Sequence, residues 1–432
     1  MAKLSTQSYR GARDYYPEDK RVQAYIFTVW RTAAERFGYV EYGAPILEPV
    51  DIYAAKSGQE LVNEQTYSFV DRGNRSVAIR PEMTPSISRM VAARRQEIGL
   101  PARLYSIANF MRYERPQHGR EREFWQLNTD IFGVDNLLAE FEMIRLSNQV
   151  MTDFGASSDD YVIRVNDRKL ISFIMANYLG LEAADGTTMC KLLDRKDKIT
   201  SEQFEEQARQ ILAGVDVSDG FSRLSRLLNA KTMAGLPEEI LQSDAVHEIR
   251  SLFSLLSSAN ITNARFDITL MRGLDYYTGT VFEVFDTNSE NSRSLFGGGR
   301  YDGLVGLFGV EPIGTVGMAI GATTMEDFLR THGLLPKLRP TTHVGIVAIG
   351  ESLKGALAAA DELRTLGVNV EVDITGRKFD KQLRALDKKD VPFALIVGED
   401  EIASGDYTLK NLESGEEQKL PLASIAQTLL SE

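Results

Sequence analysis

The chain has 432 residues, 43% of them hydrophobic and 25% charged, with a formal net charge of -12. That balance suits a soluble globular protein of two or three domains and excludes a general nucleic-acid coat, so any nucleic-acid contact must come from local basic patches. Cys190 stands alone, which excludes an intrachain disulfide and a cysteine metal cluster.

No apolar run approaches the ~18 residues of a membrane span, and the first twenty residues lack a signal-peptide core, so the expectation is a cytoplasmic protein with no membrane contact. Residues 20–37 predict an amphipathic helix, with Val22, Ile26, Val29, Ala33 and Phe37 on one face. That face is either core or a dimer surface. Tyr39–Pro45 reads as a short strand entering a turn.

Residues 77–84 read as a β-branched strand ending in Arg80-Pro81-Glu82, where proline forces Arg80 extended. Glu82 and Thr84 then either bind an ammonium group or cap a helix over Ser86–Arg95. Phe110–Leu127 predicts strand, arginine-rich loop, strand, with Pro116 and Gly119 in the loop. Arginines bind phosphate bidentately, so Arg112, Arg115, Arg120 and Arg122 suggest a phosphate site. A solvated hairpin, with Glu114, Glu121 and Glu123 pairing the arginines, is the alternative.

Residues 131–152 read as a helix and Tyr161–Val165 as a strand. Residues 169–262 read as short helices, a helical insertion without a catalytic cluster. Strand texture returns at Phe266. Arg272, Tyr276 and Tyr277 precede a strand over Thr280–Phe285. The glycines at 297–299 suit either close approach to a ligand or a plain loop. The small residues of Gly314–Gly321 suit flush packing.

Residues 331–342 read as a linker stiffened by Pro336 and Pro340. The rest alternates: strand 343–349, helix 352–366, strand 368–373, helix 378–388, strands 392–397 and 407–412, helix 422–430. This predicts a small α/β domain with a mostly parallel sheet. On helix 378–388, Phe379, Leu383 and Leu386 form the inner face. Arg377, Lys381, Arg384 and Lys388 form an outer stripe, either solvated or in contact with nucleic acid.

Neither a Walker loop nor a GxGxxG turn is present, so a nucleotide would need arginines and a sheet. Four ordered stretches resemble the histidyl-tRNA synthetase family of class II: RPEMT at 80–84, FMRYERPQHGREREF at 110–124, RGLDYYTGTVFEV at 272–284 and GGGRYDGL at 297–304. The resemblance runs over nearly the whole chain. It implies an α+β class II catalytic core, with an antiparallel sheet flanked by helices, over residues 1–332. A helical insertion at 169–262, a linker at 333–342 and an α/β anticodon-binding domain at 343–432 complete the expectation.

The implied reaction is activation of L-histidine by ATP with Mg²⁺, then transfer to tRNA(His), by a homodimer. The resemblance implies Arg112 on the α-phosphate, Phe124 on adenine, and Arg272 across the reacting carboxylate and phosphate. It implies Glu82, Thr84 and Gln126 on the histidine ammonium, Asp130 and Tyr277 on the imidazole, and Met83 and Tyr276 in the same pocket. Arg115 and Gln117 would meet the tRNA acceptor end, and the outer stripe of helix 378–388 its anticodon side.

Two positions depart from the family pattern. Asp130 stands for a commoner glutamate, and Thr324 stands where an arginine for the ATP γ-phosphate would fall, with Arg120 a candidate to share that load. Two other readings follow from the same resemblance. One is a weak or inactive paralogue such as a regulatory subunit of ATP phosphoribosyltransferase. The other is an RNA-binding protein on a dead synthetase. The retained RGLDYYTG stretch and C-terminal domain argue against the first, and Arg112, Arg272, Tyr277 and Glu82 against the second.

Overall fold

Helix Pro17–Arg36 buries Val22, Ile26 and Ala33 of the predicted stripe together with Trp30, while Val29 is half-buried and Phe37 lies beyond the helix end. The computed structural model describes residues 4–54, 64–115, 117, 119–196, 199–215, 220–230, 232–270, 276–291 and 293–431. Arg272 lies outside them. The chain divides into a unit of residues 1–14 with 23–335 and a unit of residues 15–22 with 336–432.

In the first unit the strands, in chain order, are β1 (Val40–Glu41), β2 (Leu47–Pro49), β3 (Ser68–Val70), β4 (Ser76–Ile79), β5 (Ala102–Met111), β6 (Glu123–Phe132), β7 (Tyr161–Asp167), β8 (Ala264–Phe266), β9 (Thr280–Asp286), β10 (Ser294–Arg300) and β11 (Thr315–Gly321). Eight form one sheet in the order β1-β5-β6-β11-β10-β9-β7-β8, while β2-β4-β3 make a small second sheet. Only the edge pairs β1/β5 and β7/β8 are parallel; the five inner pairings are antiparallel.

In this unit the fold departs from the sequence reading at three places. The helix expected from residue 131 begins at Leu138, because Ile131 and Phe132 pair with Arg103 and Ala102 and continue β6. Gly133, at φ +87°, makes the break. The strand expected over Tyr39–Pro45 shrinks to two residues. The glycines at 297–299 form no loop. They lie inside β10, between β9 and β11, where a Cβ on Gly297 would come 2.6 Å from the Phe282 carbonyl oxygen.

Residues 168–258 contain helices Arg168–Phe173, Ala183–Asp194, Ser201–Leu212, Gly220–Leu228 and Asp244–Ser258. They share a core of their own that includes Leu170, Ile174, Met189, Leu224, Leu227, Ile240 and Ile249.

In the second unit the strands are β12 (Val344–Ala348), β13 (Val370–Val372), β14 (Phe393–Val397), β15 (Asp406–Asn411) and β16 (Glu417–Pro421), in the order β13-β12-β14-β15-β16. The pairs β12/β13 and β12/β14 are parallel, and β14/β15 and β15/β16 antiparallel. The sheet is therefore half parallel rather than mostly so. The difference comes from β16, an exposed charged edge strand whose Glu-Gln-Lys run carries no apolar alternation to announce it. Helix Leu353–Thr365 buries Ala356, Ala359, Ala360 and Leu363, while Leu353 and Leu357 stay exposed. Small residues let this helix lie close on the sheet.

Candidate active site

The site lies on β5, β6, β10 and β11 and on the segment that follows β4. Arg80 fixes that segment. Its guanidinium donates to the carbonyls of Asn109 (2.9 Å) and Ala44 (2.8 Å) and lies over the Phe110 ring. Pro81 then offers its carbonyl to Arg112 Nε at 2.8 Å. Helix Thr84–Ala93 starts at Thr84 with Pro85 behind it, and its N-cap, Met83, makes no side-chain cap. So the capping alternative fails. Thr84 instead lies beside the buried Tyr276 hydroxyl.

Glu82 is 4% exposed and accepts a 2.9 Å hydrogen bond from Tyr276. Met83 is buried with Ala108 and Phe110 as an apolar floor. Gln126 lies half-buried on β6 between Ala108 and Gly321.

Asp130 is 3% exposed on the same strand. Burial pushes its carboxyl up to about 7, against the lowering effect of a hydrogen bond donated by Tyr301 to Oδ1. Its Oδ2 has no partner among the described residues. A desolvated carboxylate oxygen is costly unless a donor meets it.

Tyr276, Tyr277 and Tyr301 stand around this group, with ring centroids 5.3 Å apart for the first two and 5.6 Å for Tyr276 and Tyr301. Burial pushes the Tyr277 hydroxyl upward, with Glu82, Glu283 and Asp130 adding to it, so it stays a neutral donor. Gly299 and Gly317 make the room. A Cβ on Gly299 would sit 3.1 Å from the Tyr277 ring, and one on Gly317 would run into Asp130 and Tyr301. The room these glycines make is thus local to three side chains, Tyr277, Asp130 and Tyr301.

The basic half of the site is the hairpin. β5 and β6 pair through Phe110↔Phe124 and Met111↔Glu123, and Arg112 follows directly. Its guanidinium lies 5.2 Å from the centre of the Phe124 ring. Arg120 forms an ion pair with Glu114 at 2.5 Å, so the candidate for sharing the γ-phosphate already has a carboxylate partner. Arg122 stacks 4.0 Å over Tyr113 and donates to the Glu114 carbonyl. Arg115 and Gln117 are exposed on the loop. Thr324 turns its hydroxyl to the carbonyls of Leu295 (2.8 Å) and Gly321 (3.1 Å).

Sequence reasoning missed Tyr301, Tyr42 and Ser106. Tyr301 lies inside the GGGRYDGL stretch already singled out, so its signal was present. Ser106 is buried and Tyr42 half-buried, their hydroxyl oxygens are shut off from solvent, and nothing around them in the sequence marks them. In the second unit Arg377 is held by Asp373 (Nη2 to Oδ2, 2.5 Å), while Lys381, Arg384 and Lys388 are exposed. Among the described residues no group of three His, Cys, Asp or Glu side chains could hold a metal ion.

With this geometry in place the relatives are informative. The family model for histidyl-tRNA synthetase matches residues 11–325, and that for the anticodon binding domain matches residues 343–432. The protein named histidine--tRNA ligase from Leptospira biflexa (strain Patoc 1 / Ames) is 39% identical over 419 residues, covering 95% of this chain and 94% of that one. That of Haloarcula marismortui is 34% identical over 422 residues, covering 96% of each. The histidyl-tRNA synthetase structure from Nostoc sp. PCC 7120 has a TM-score of 0.82 at 24% identity, over 99% of this chain and 100% of that one, a likeness of fold. The architecture is that of a class II synthetase core, an antiparallel sheet flanked by helices, with an anticodon-binding domain. The chain belongs to the histidyl-tRNA synthetase family.

Proposed function

We infer that this chain is a histidine--tRNA ligase: it activates L-histidine with ATP to histidyl-adenylate and transfers the histidyl group to the 3′ end of tRNA(His). The observation that carries the reading is Asp130, buried, held by Tyr301 through one oxygen and unpartnered at the other. An imidazole N–H completes that oxygen, and the Tyr277 hydroxyl, a neutral donor, suits the other ring nitrogen. Glu82, Thr84 and Gln126 would take the ammonium group, with Tyr276 fixing Glu82 and Met83 flooring the pocket.

In the first step a histidine carboxylate oxygen attacks the α-phosphorus. The bond to the bridging oxygen breaks, and pyrophosphate leaves with the electron pair. No proton has to be removed. Two anions approach each other, so Arg112 and Arg272 supply the preset positive charge. The Arg112 guanidinium lies 5.2 Å from the centre of the Phe124 ring, which supports a phosphate contact and an adenine contact side by side. Magnesium belongs to this reading as the counter-ion of the nucleotide phosphates.

In this reading residues 1–332 are the catalytic domain, 169–262 its insertion, 333–342 a linker and 343–432 the anticodon-binding domain. Arg115 and Gln117 meet the acceptor end, and Arg377, Lys381, Arg384 and Lys388 the anticodon side. A homodimer is part of it, supported by the exposed apolar Val40, Leu47, Phe69 and Val70 on β1–β3. So is a cytoplasmic site; among the described residues no helix is long and apolar enough to cross a membrane. The paralogue reading is not better supported, since the anticodon-domain match and the long relatives both favour the ligase.

The test is ATP–pyrophosphate exchange with each standard amino acid, followed by tRNA charging. Exchange with histidine alone is expected. Exchange with another amino acid, or with none, overturns the reading.

A further inference from the structure

The segment joining β9 to β10 is anchored on both sides of one arginine. Before it, Asn291 Nδ2 donates to Asp286 Oδ2 (2.7 Å) and to Thr331 Oγ1 (3.2 Å). After it, the Leu295 carbonyl accepts the Thr324 hydroxyl at 2.8 Å. Between these anchors Arg293 is exposed, and among the described residues it makes no ion pair or hydrogen bond. Most arginines around the site are committed: Arg80 to carbonyls, Arg120 to Glu114, Arg300 to Glu140.

Arg293 lines a cavity of about 300 Å³. Gln117 and Gly119 reach the cavity from the tip of the hairpin whose root carries Arg112; Thr324 and Asp327 reach it from helix Ala322–Thr331. Thr324 offers this space little, because its hydroxyl is engaged with two main-chain oxygens. A free guanidinium on an anchored loop, opposite an arginine-bearing hairpin, suits a phosphate oxygen. Glu290 and Asp327 line the same space, so a bare polyphosphate is repelled, whereas one complexed with magnesium brings a dication that accepts carboxylate oxygens.

We propose that Arg293 supplies the positive charge for the terminal phosphate of ATP, reaching the nucleotide from the β9–β10 connection in place of a cation at position 324. The proposal rests on the ATP-dependent activation inferred above. Its test is calorimetric binding of MgATP and of AMP to the full chain and to its Arg293→Gln and Arg293→Lys variants, with melting temperatures recorded. AMP lacks the terminal phosphate and serves as the internal control.

Arg293→Gln is expected to weaken MgATP binding about tenfold and to leave AMP binding within about twofold. Arg293→Lys should retain part of the difference, and the histidine KM in exchange should stay unchanged. An Arg293→Gln variant that binds MgATP like the parent overturns the proposal, as does equal weakening of MgATP and AMP. A parent that binds MgATP but shows no histidine-dependent exchange overturns the activation reading instead, so the two failures are distinct.

Discussion

In the first unit charged side chains reach the interior: Glu82, Asp130, Glu140 and Arg300 are each at most 6% exposed. In the C-terminal unit the buried polar side chains named after residue 336 are Ser352 and Gln382, and both are spent on main-chain atoms. Its arginines and lysines stand outside. The contrast separates two kinds of recognition. A small polar ligand is selected by desolvated groups that must each find a partner, whereas a polyanion is held by solvated charge that tolerates change. Substitutions in the two units should therefore differ in size and in what they alter.

The largest effect expected is structural. Arg300 and Glu140 form a two-pronged ion pair at 2.6 and 2.7 Å, 8% and 2% exposed at the side chain, with the Val134 and Asn136 carbonyls completing the guanidinium. Arg300→Leu strands a buried carboxylate and should cost about 3–5 kcal/mol of stability. Thermal or urea unfolding measures it. A loss under about 1 kcal/mol would show that the pair is solvated and that burial does not set this unit apart.

Next comes Arg272→Ala, with an expected loss of about 3–4 kcal/mol of transition-state stabilisation, or roughly two to three orders of magnitude in exchange rate. Melting temperature should hardly move. If stability falls and the rate does not, Arg272 is holding its loop rather than the reacting groups.

Tyr277→Phe should raise the histidine KM by roughly 1–3 kcal/mol while the ATP KM stays put. Asp130 adds a pH signature. Its carboxyl is held up at about 7, so the folded chain keeps a proton there that the unfolded chain releases near pH 4. The sign follows: this group favours the fold below about pH 4, and that contribution is lost as pH rises to about 7. Binding runs the other way, because the ionised oxygen is the better acceptor. The histidine KM should fall as pH rises through about 7, beyond the change due to free histidine, and Asp130→Asn should flatten the excess. A variant with the parent's profile would remove Asp130 from the imidazole site.

The smallest effect belongs to the other unit. Lys381→Gln with Arg384→Gln should raise the tRNA KM a few-fold, about 1 kcal/mol or less, increasingly so at low salt, and leave pyrophosphate exchange unchanged. A change in exchange would mean that these solvated charges act on the chemistry and that the two units are not separate in function.

Much of this was legible in the chain itself. Apolar spacing marked the first helix, the helical stretch after 168 and the alternation after 343, because a buried stripe leaves its period in the sequence. Motif residues marked Arg112, Glu82, Tyr277 and Asp130. What only the tertiary structure decided depends on strand neighbours far apart in sequence. Ile131 and Phe132 became strand because β5 and β11 flank them. The glycines of β10 owe their place to the crowding of β9 and β11, and Gly299 and Gly317 to side chains from other segments. Tyr42, Ser106 and Tyr301 joined the Asp130 site because sheet order, rather than chain order, brings them there. Local propensity and period are written along the chain, whereas pairing and desolvation are properties of what the fold puts next to what.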